Sequence, residues 1–97
     1  MILEVAEIHI NDGDQAKFEQ AVHQSIKEYI SVTEGFIDAQ LQRSIEESTR
    51  YLLLVQWETI EAHMVNFRQS ERFPQHRALI GPYFTRPPHV HHFVQCE

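Results

Sequence analysis

The sequence predicts an α+β fold of ferredoxin-like βαββαβ topology, in which a four-stranded antiparallel sheet carries its helices on one face. Strand-like patterns occur at residues 2–10, 36–45, 51–57 and 89–96. Apolar side chains at helical spacing precede the second of these strands, and another such set precedes the fourth. Because right-handed crossovers and short connections restrict how such elements pair, this order favours one sheet with two crossover helices.

The first part of the chain supplies a strand, a turn and a helix. The apolar side chains of the first strand divide between its two faces, Leu3 and Val5 on one and Ile2, Ala6, Ile8 and Ile10 on the other. Asn11–Gly13 has turn composition, and Asp12 with Gln15 three residues later resembles a capping box. A helix over 14–31 is indicated by the spacing of Phe18, Val22, Ile26, Tyr29 and Ile30. Thr33–Gly35 ends it.

The strand at residues 51–57 is apolar on both of its faces. Its alternating side chains are Tyr51, Leu53, Val55 and Trp57 on one face and Leu52 and Leu54 on the other. A strand of this kind needs cover on both sides, and the helices of so short a chain cover only one side of the sheet. We therefore expect the other face to meet a second copy of the chain, and we expect a pocket where Trp57 leads into the next helix.

The second crossover is predicted in two helical pieces. Glu46–Thr49 is polar enough for the hairpin loop before it, and Thr59 is a suitable N-cap for the first piece. The buried stripe of that piece is predicted to be Ile60, Met64 and Phe67. A shorter helix begins at Ser70 and ends at Gly81–Pro82, before the last strand.

Composition narrows the classes of function. The 97 residues fit a single domain over 1–97, and 14 acidic against 8 basic residues give a net charge of −6. Nucleic-acid binding is disfavoured, because phosphate recognition needs clustered Lys and Arg. No apolar run approaches the roughly 20 residues needed to span a bilayer, and the N-terminus has no secretion-signal pattern. Cys96 is the single cysteine, so we expect a cytoplasmic protein without a disulfide framework.

Several short segments together resemble the antibiotic biosynthesis monooxygenase family of the dimeric α/β-barrel superfamily. They are Ile2–Glu7, Glu34–Phe36, Gln56–Glu58, Glu61–His63, Phe67–Ser70, Arg77–Ile80 and Pro88–His92. The resemblance implies a homodimer whose two sheets face each other as a barrel, with a pocket between sheet and helices in each subunit. It also implies oxidation of polycyclic phenols or anthrones by O2 without a cofactor, although other members of the family degrade haem.

Cofactor-free oxygenation requires an aromatic wall, a base and hydrogen-bond donors. Trp57 is the candidate wall, since the resemblance places an active-site residue there, and His63 is a candidate base with Asn66 and Phe67 one turn away. His76 is the alternative base. Tyr83 and Phe84 are candidates for the cap of the pocket, with Tyr83 as a donor. Each of these residues has a plainer interpretation, in which the aromatic side chains only fill a core and the histidines are incidental.

The histidines of the last strand do not predict a metal site. His89 and His91 share one face while His92 points to the other, so at most two ligands converge, and we expect His92 to be buried and hydrogen-bonded beside Val90 and Val94. The haem-degrading branch of the family uses an asparagine on the first strand, an aromatic residue in the second helix and a histidine ligand. Only His76 falls near the expected spacing.

Three functions therefore stay open. The first is a cofactor-independent monooxygenase acting on a small aromatic or quinone-like substrate. The second is a non-catalytic dimer that binds a small hydrophobic or aromatic ligand or has an accessory role, and the third is a haem-binding protein. The fold alone does not choose among them.

Overall fold

The computed structural model describes residues 1–97 and has the predicted ferredoxin-like α+β architecture. Its four strands are β1 (Ile2–His9), β2 (Phe36–Arg43), β3 (Arg50–Trp57) and β4 (His89–Phe93). They form one antiparallel sheet in the order β2-β3-β1-β4, so that β4 is an edge strand beside β1.

Helical segments of three kinds make the two crossovers. Helix α1 (Gln15–Ser25) continues directly into a π-helical segment, Ile26–Ile30. The second crossover contains another π-helical segment, Ala62–Phe67, then helix α2 (Arg72–Ile80) and one 3₁₀ turn, Gly81–Tyr83. None of the helices is long and apolar enough to cross a bilayer.

The core lies between the helices and one face of the sheet. In β3 the burial alternates, with Tyr51 and Trp57 among the side chains that are almost completely buried on the helix-facing side. On the opposite face, Leu52 and Leu54 are half-buried and Phe93 of β4 is 54% exposed. The two-faced character predicted for residues 51–57 is therefore present, and no helix of the chain covers the second face.

The second crossover differs from the predicted α-helix. The buried residues of its first piece are Ala62, His63 and Phe67, whereas Ile60 and Met64 are 42% and 38% exposed. The reason is the i→i+5 hydrogen bonding, seen where the Arg68 N–H donates to the His63 carbonyl. A π-turn holds one more residue than an α-turn, so residues at α-helical spacing no longer share a face.

Local capping was predicted correctly at one helix and wrongly at the other. Thr59 Oγ1 accepts a hydrogen bond from the Ala62 N–H at 3.2 Å, as an N-cap does. Helix α1 has no side-chain cap. Gln15 instead closes the preceding turn, because its Nε2 donates to Asp12 Oδ1 and its Oε1 accepts from the Gly13 N–H, both at 2.8 Å.

The last strand is shorter than the predicted 89–96. It ends at Phe93, and Val94 is 70% exposed, so the expected burial of Val94 is wrong. His92 is half-buried and hydrogen-bonded. It lies on the edge strand β4, so no further strand of the chain covers that side of the sheet.

Candidate functional site

A cavity of about 380 Å³ lies between the inner face of the sheet and the second crossover. Its apolar walls come from the sheet, from α2 and from the chain that leads into β4. The lining residues are Glu4, Ala6, Ile8, Leu53, His63, Phe67, Arg68, Phe73, His76, Arg77, Ile80, Phe84, Pro87, Pro88 and Val90. A volume of this size accommodates a small organic molecule.

Glu4 is the most unusual residue of the lining. It stands on the core-facing side of β1, opposite Val55 in β3 and His92 in β4, and is only 7% exposed. Its Oε1 accepts a hydrogen bond from Trp57 Nε1 at 3.0 Å and lies 3.4 Å from His63 Nε2. Burial raises the pKa of Glu4 to about 7, although the Trp57 hydrogen bond and the charge of Arg68 act in the opposite direction.

His63 lies next to this carboxyl and is 3% exposed. Its ring stacks on the indole of Trp57, with 5.5 Å between the ring centroids and 18° between the planes. Its Nδ1 is 2.7 Å from Nε2 of His92. Burial is the main cause that lowers the pKa of His63 to about 4, with smaller electrostatic contributions from His92, Arg68 and His76, so the ring is neutral at neutral pH.

His76 lines another part of the cavity from α2 and is 7% exposed. Its Nδ1 is 2.6 Å from the hydroxyl of Ser25, the last residue of α1, which is fully buried. Burial, with a contribution from Arg77, lowers the pKa of His76 to about 4. The Ser25 contact occupies Nδ1, so Nε2 is the nitrogen left to meet a ligand.

Two arginines bring positive charge to the cavity without an acidic partner. Neither Arg68 nor Arg77 forms a salt bridge. The Arg68 guanidinium lies 4.9 Å from the ring centre of Phe73, and that of Arg77 lies 5.7 Å from the ring centre of Phe84. In a chain of net charge −6, this part of the surface is locally suited to an anionic group.

The structure brings four of the seven predicted site residues to the cavity, namely His63, Phe67, His76 and Phe84. Trp57 does not line it, because the indole is fully buried behind Glu4 and His63. The expected pocket at the end of β3 is therefore closed, and the cavity opens further along, toward α2.

Asn66 and Tyr83 also lie away from the cavity. The Asn66 amide is exposed and donates to the Glu34 carbonyl at 3.1 Å, on the outer side of the π-helical segment. Tyr83 packs edge-on against Phe18 of α1, with 5.9 Å between the ring centroids. The contacts of Asn66 and Tyr83 therefore hold neighbouring segments of the fold together and do not form part of the cavity wall.

Sequence reasoning missed Glu4, Ser25, Arg68 and Arg77. A signal for Glu4 was present, since its position in β1 has the same parity as Ala6 and Ile8 and so faces the core. A lone acidic residue at a core-facing position is a candidate functional group. The two arginines carry no local signal, because their lack of acidic partners depends on the tertiary structure.

Comparison with known proteins shows the family of the chain. The family model for antibiotic biosynthesis monooxygenases matches residues 1–79. The chain belongs to the antibiotic biosynthesis monooxygenase family. One relative is the uncharacterised YczJ protein of Bacillus subtilis, 40% identical over 93 residues that cover 96% of this chain and 97% of the relative.

Solved structures of the antibiotic biosynthesis monooxygenase family have the same architecture. A Bordetella bronchiseptica protein of this family superposes with a TM-score of 0.92 at 42% identity, covering 99% of this chain and 97% of the other. SnoaB of Streptomyces nogalater, a cofactor-independent oxygenase, superposes with a TM-score of 0.84 at 17% identity, covering 99% and 93%. At that identity the likeness to SnoaB shows the shared fold.

Proposed function

We propose that this protein is a cofactor-independent monooxygenase that oxidises a small aromatic, phenol- or quinone-like substrate with O2. The observation that supports the proposal is a buried carboxyl, Glu4, with a pKa of about 7 on the wall of a cavity lined by both aromatic and charged side chains. A base for general acid–base catalysis is most effective when its pKa lies near the working pH. Family membership and the shared fold of the oxygenase SnoaB are consistent with this chemistry.

The lining residues divide into an apolar part and a charged part. Phe67, Phe73 and Phe84 supply aromatic surfaces against which a planar substrate can lie. Arg68 and Arg77 supply positive charge for the anion that forms when such a substrate loses a proton. The proposed first step is transfer of a proton from an acidic C–H or O–H of the substrate to the carboxylate of Glu4.

The overall reaction balances without another reductant. The substrate anion transfers electrons to O2 and the two combine as a peroxide at the reacting carbon. Loss of water from the peroxide then leaves a carbonyl, so that a CH2 group and O2 become a C=O group and H2O. Both electron pairs that reduce O2 come from the substrate.

Glu4 is a better candidate for the base than either histidine proposed from the sequence. With pKa values of about 4, His63 and His76 are neutral near pH 7 but hold a proton only weakly. We therefore assign His63 to positioning the Glu4 carboxyl, and His76 to contact with the substrate through Nε2. Trp57 acts behind them by donating to Glu4.

We also propose that the chain forms a homodimer through the uncovered face of the sheet. The support is the row of apolar side chains on β1, β3 and β4 that no helix covers, including Leu3, Val5, Leu54 and Phe93. Light scattering at micromolar concentration should give twice the 11.5 kDa chain mass. Leu54→Lys should halve that mass, whereas Ile45→Lys, at a loop position that is 95% exposed, should not. A wild-type monomer would contradict the proposal.

Oxygen consumption tests the catalytic proposal. The purified protein, with a chelator present and no flavin added, is given a panel of anthrones and hydroquinones in an oxygen electrode, and ¹⁸O2 is used with any substrate that reacts. We expect one ¹⁸O atom in the product and loss of activity in Glu4→Gln. Glu46→Gln, an exposed loop substitution of the same chemical kind, should retain it.

The other functions predict different outcomes. Binding of the same compounds without oxygen consumption would support the non-catalytic ligand-binding function. A haem Soret shift that disappears in His76→Ala would support haem binding. Either outcome would contradict the monooxygenase proposal.

A further inference from the structure

Glu4, His63 and His92 form a continuous chain of polar groups from the cavity to the edge of the sheet. Oε1 of Glu4 lies 3.4 Å from Nε2 of His63, and Nδ1 of His63 lies 2.7 Å from Nε2 of His92. Glu4 and His63 are 7% and 3% exposed, whereas His92 is half-buried on the edge strand β4. The end of the chain at Glu4 is thus buried, and the end at His92 is partly exposed to solvent.

We propose that these three residues are a proton relay that carries the proton taken from the substrate out of the cavity to solvent. The origin of that proton depends on the proposed function. The relay itself does not, because its protons can exchange with solvent when no substrate is present.

One passage through the relay moves three protons by one position each. Protonated Glu4 gives its proton to Nε2 of His63, while the proton on Nδ1 of His63 moves to Nε2 of His92. The proton on Nδ1 of His92 leaves to water. Glu4 is again a carboxylate, and both histidines have changed from the Nδ1–H to the Nε2–H tautomer while staying neutral. Rotation of the two rings then turns each N–H back toward the solvent side while Glu4 stays a carboxylate, so that the chain can take the next proton.

The surroundings favour movement through neutral rings. Arg68 follows the π-helical segment and acts on all three groups, lowering the pKa of His63, of His92 and of Glu4. His76 on α2 adds to the effect on His63, and His91 on β4 adds to the effect on His92. From β3, Trp57 Nε1 donates to Glu4. Burial, together with the positive charge of Arg68, disfavours a stored imidazolium, so a proton that enters one nitrogen leaves from the other.

The tautomers can be read directly, without substrate, from ¹⁵N chemical shifts of the histidine rings between about pH 5 and 9. We expect His63 and His92 to change together from Nδ1–H to Nε2–H as Glu4 loses its proton, and to keep one tautomer throughout in Glu4→Gln. Glu46→Gln should behave as wild type. A single tautomer at every pH in the wild type, or conversion of His63 to imidazolium in this range, would overturn the relay.

A second measurement follows the outlet of the relay in an active preparation. His92→Gln should lower kcat about tenfold or more in dilute buffer, and added imidazole should restore the rate because it carries the proton from the opening. His23→Gln, an exposed histidine of α1, is the matched control and should be unchanged. A purely structural loss would not respond to imidazole.

The two measurements separate the failure of the relay from the failure of the proposed function. If no compound consumes oxygen, the proposed function fails and the tautomer titration still decides the relay. If oxygen is consumed and His92→Gln is fully active in dilute buffer, the relay is overturned and the proposed function stands.

Discussion

Trp57 and Glu4, 53 residues apart in the chain, share a buried hydrogen bond in which the indole Nε1 donates to Oε1 at 3.0 Å. The contact connects the end of β3 to the start of β1 and keeps a carboxyl at a position that would otherwise suit an apolar side chain. It also gives Trp57 a role beyond packing, although the indole does not reach the cavity.

Trp57→Phe tests this contact. Phe retains an aromatic ring against Phe36 and Phe67, but the donor that lowers the pKa of Glu4 is lost. The titration of Glu4 should move to higher pH, and the free energy of unfolding should fall by about 2 kcal/mol. Infrared difference spectra of the carboxyl band against pH measure the first effect, and urea unfolding measures the second. An unchanged carboxyl titration would show that the bond does not act on Glu4.

Glu4→Gln should change how stability depends on pH. The pKa of Glu4 is about 7 in the folded chain and 4.5 as the unfolded reference, so the folded state holds this proton more tightly. The contribution of this proton to the free energy of unfolding is fully present below pH 4.5 and is lost as the pH rises through 7. As the pH rises from 4.5 to about 8, the free energy of unfolding of Glu4→Gln should therefore increase relative to that of the wild type by on the order of 3 kcal/mol.

Urea unfolding followed by the fluorescence of Trp57, the single tryptophan, measures this difference. His63 and His76 act in the opposite sense, because their pKa values of about 4 lie below the reference value of 6.5. Their contribution is present above pH 6.5 and is lost as the pH falls through 4, in both proteins alike. If the difference in the free energy of unfolding between Glu4→Gln and wild type does not change with pH, the titration of Glu4 does not affect the stability of the fold.

Gly35→Ala should displace the segment that carries His63. Gly35 has φ of +93°, and a Cβ there would lie 2.5 Å from the Cβ of Ala62. Gly13 has a similar φ of +98°, but nothing lies within 4 Å of its added Cβ. Gly13→Ala therefore carries the backbone strain alone, roughly 1–3 kcal/mol, and Gly35→Ala should cost clearly more. Equal losses in thermal unfolding would mean that the π-helical segment moves aside freely.

Ser25→Ala should destabilise the helix pair that positions His76. The substitution removes the 2.6 Å contact and leaves Nδ1 of a buried ring without a partner, at a cost of about 1–3 kcal/mol. Ser31→Ala removes a hydroxyl that donates to the Lys27 carbonyl at an exposed position and should cost less. Chemical denaturation compares the two. If the two variants lose the same free energy of unfolding, Ser25 does not fix the ring of His76.

The topology could be predicted because alternation and helical spacing are local properties. The order of the elements predicted the sheet, and the strand 51–57, apolar on both faces within seven residues, predicted that one side of the sheet is not covered by helices. The π-helical segment could not be predicted, since Ile60, Met64 and Phe67 also fit an ordinary α-helix and the i→i+5 bonds depend on the fold around them.

The site was predictable only in part. His63 and His76 were identifiable by residue type, but their contacts to His92 and Ser25 join residues 29 and 51 positions apart. Glu4 could have been found from its parity with Ala6 in β1. The raised pKa of Glu4 could not be predicted from the sequence, because it depends on the burial of the carboxyl and on the hydrogen bond from Trp57.

The pH dependence of kcat/KM for oxygen consumption tests most directly whether Glu4 is the base. The substrate should be one that does not itself ionise between about pH 3 and 9, and Glu4→Gln is compared over that range with wild type and with Glu46→Gln. We predict a rise with a midpoint near 7 in the wild type and in Glu46→Gln, where Glu4 loses its proton, and a rate at least about 100-fold lower in Glu4→Gln. A midpoint near 4 that persists in Glu4→Gln would assign the base to a histidine and contradict this account.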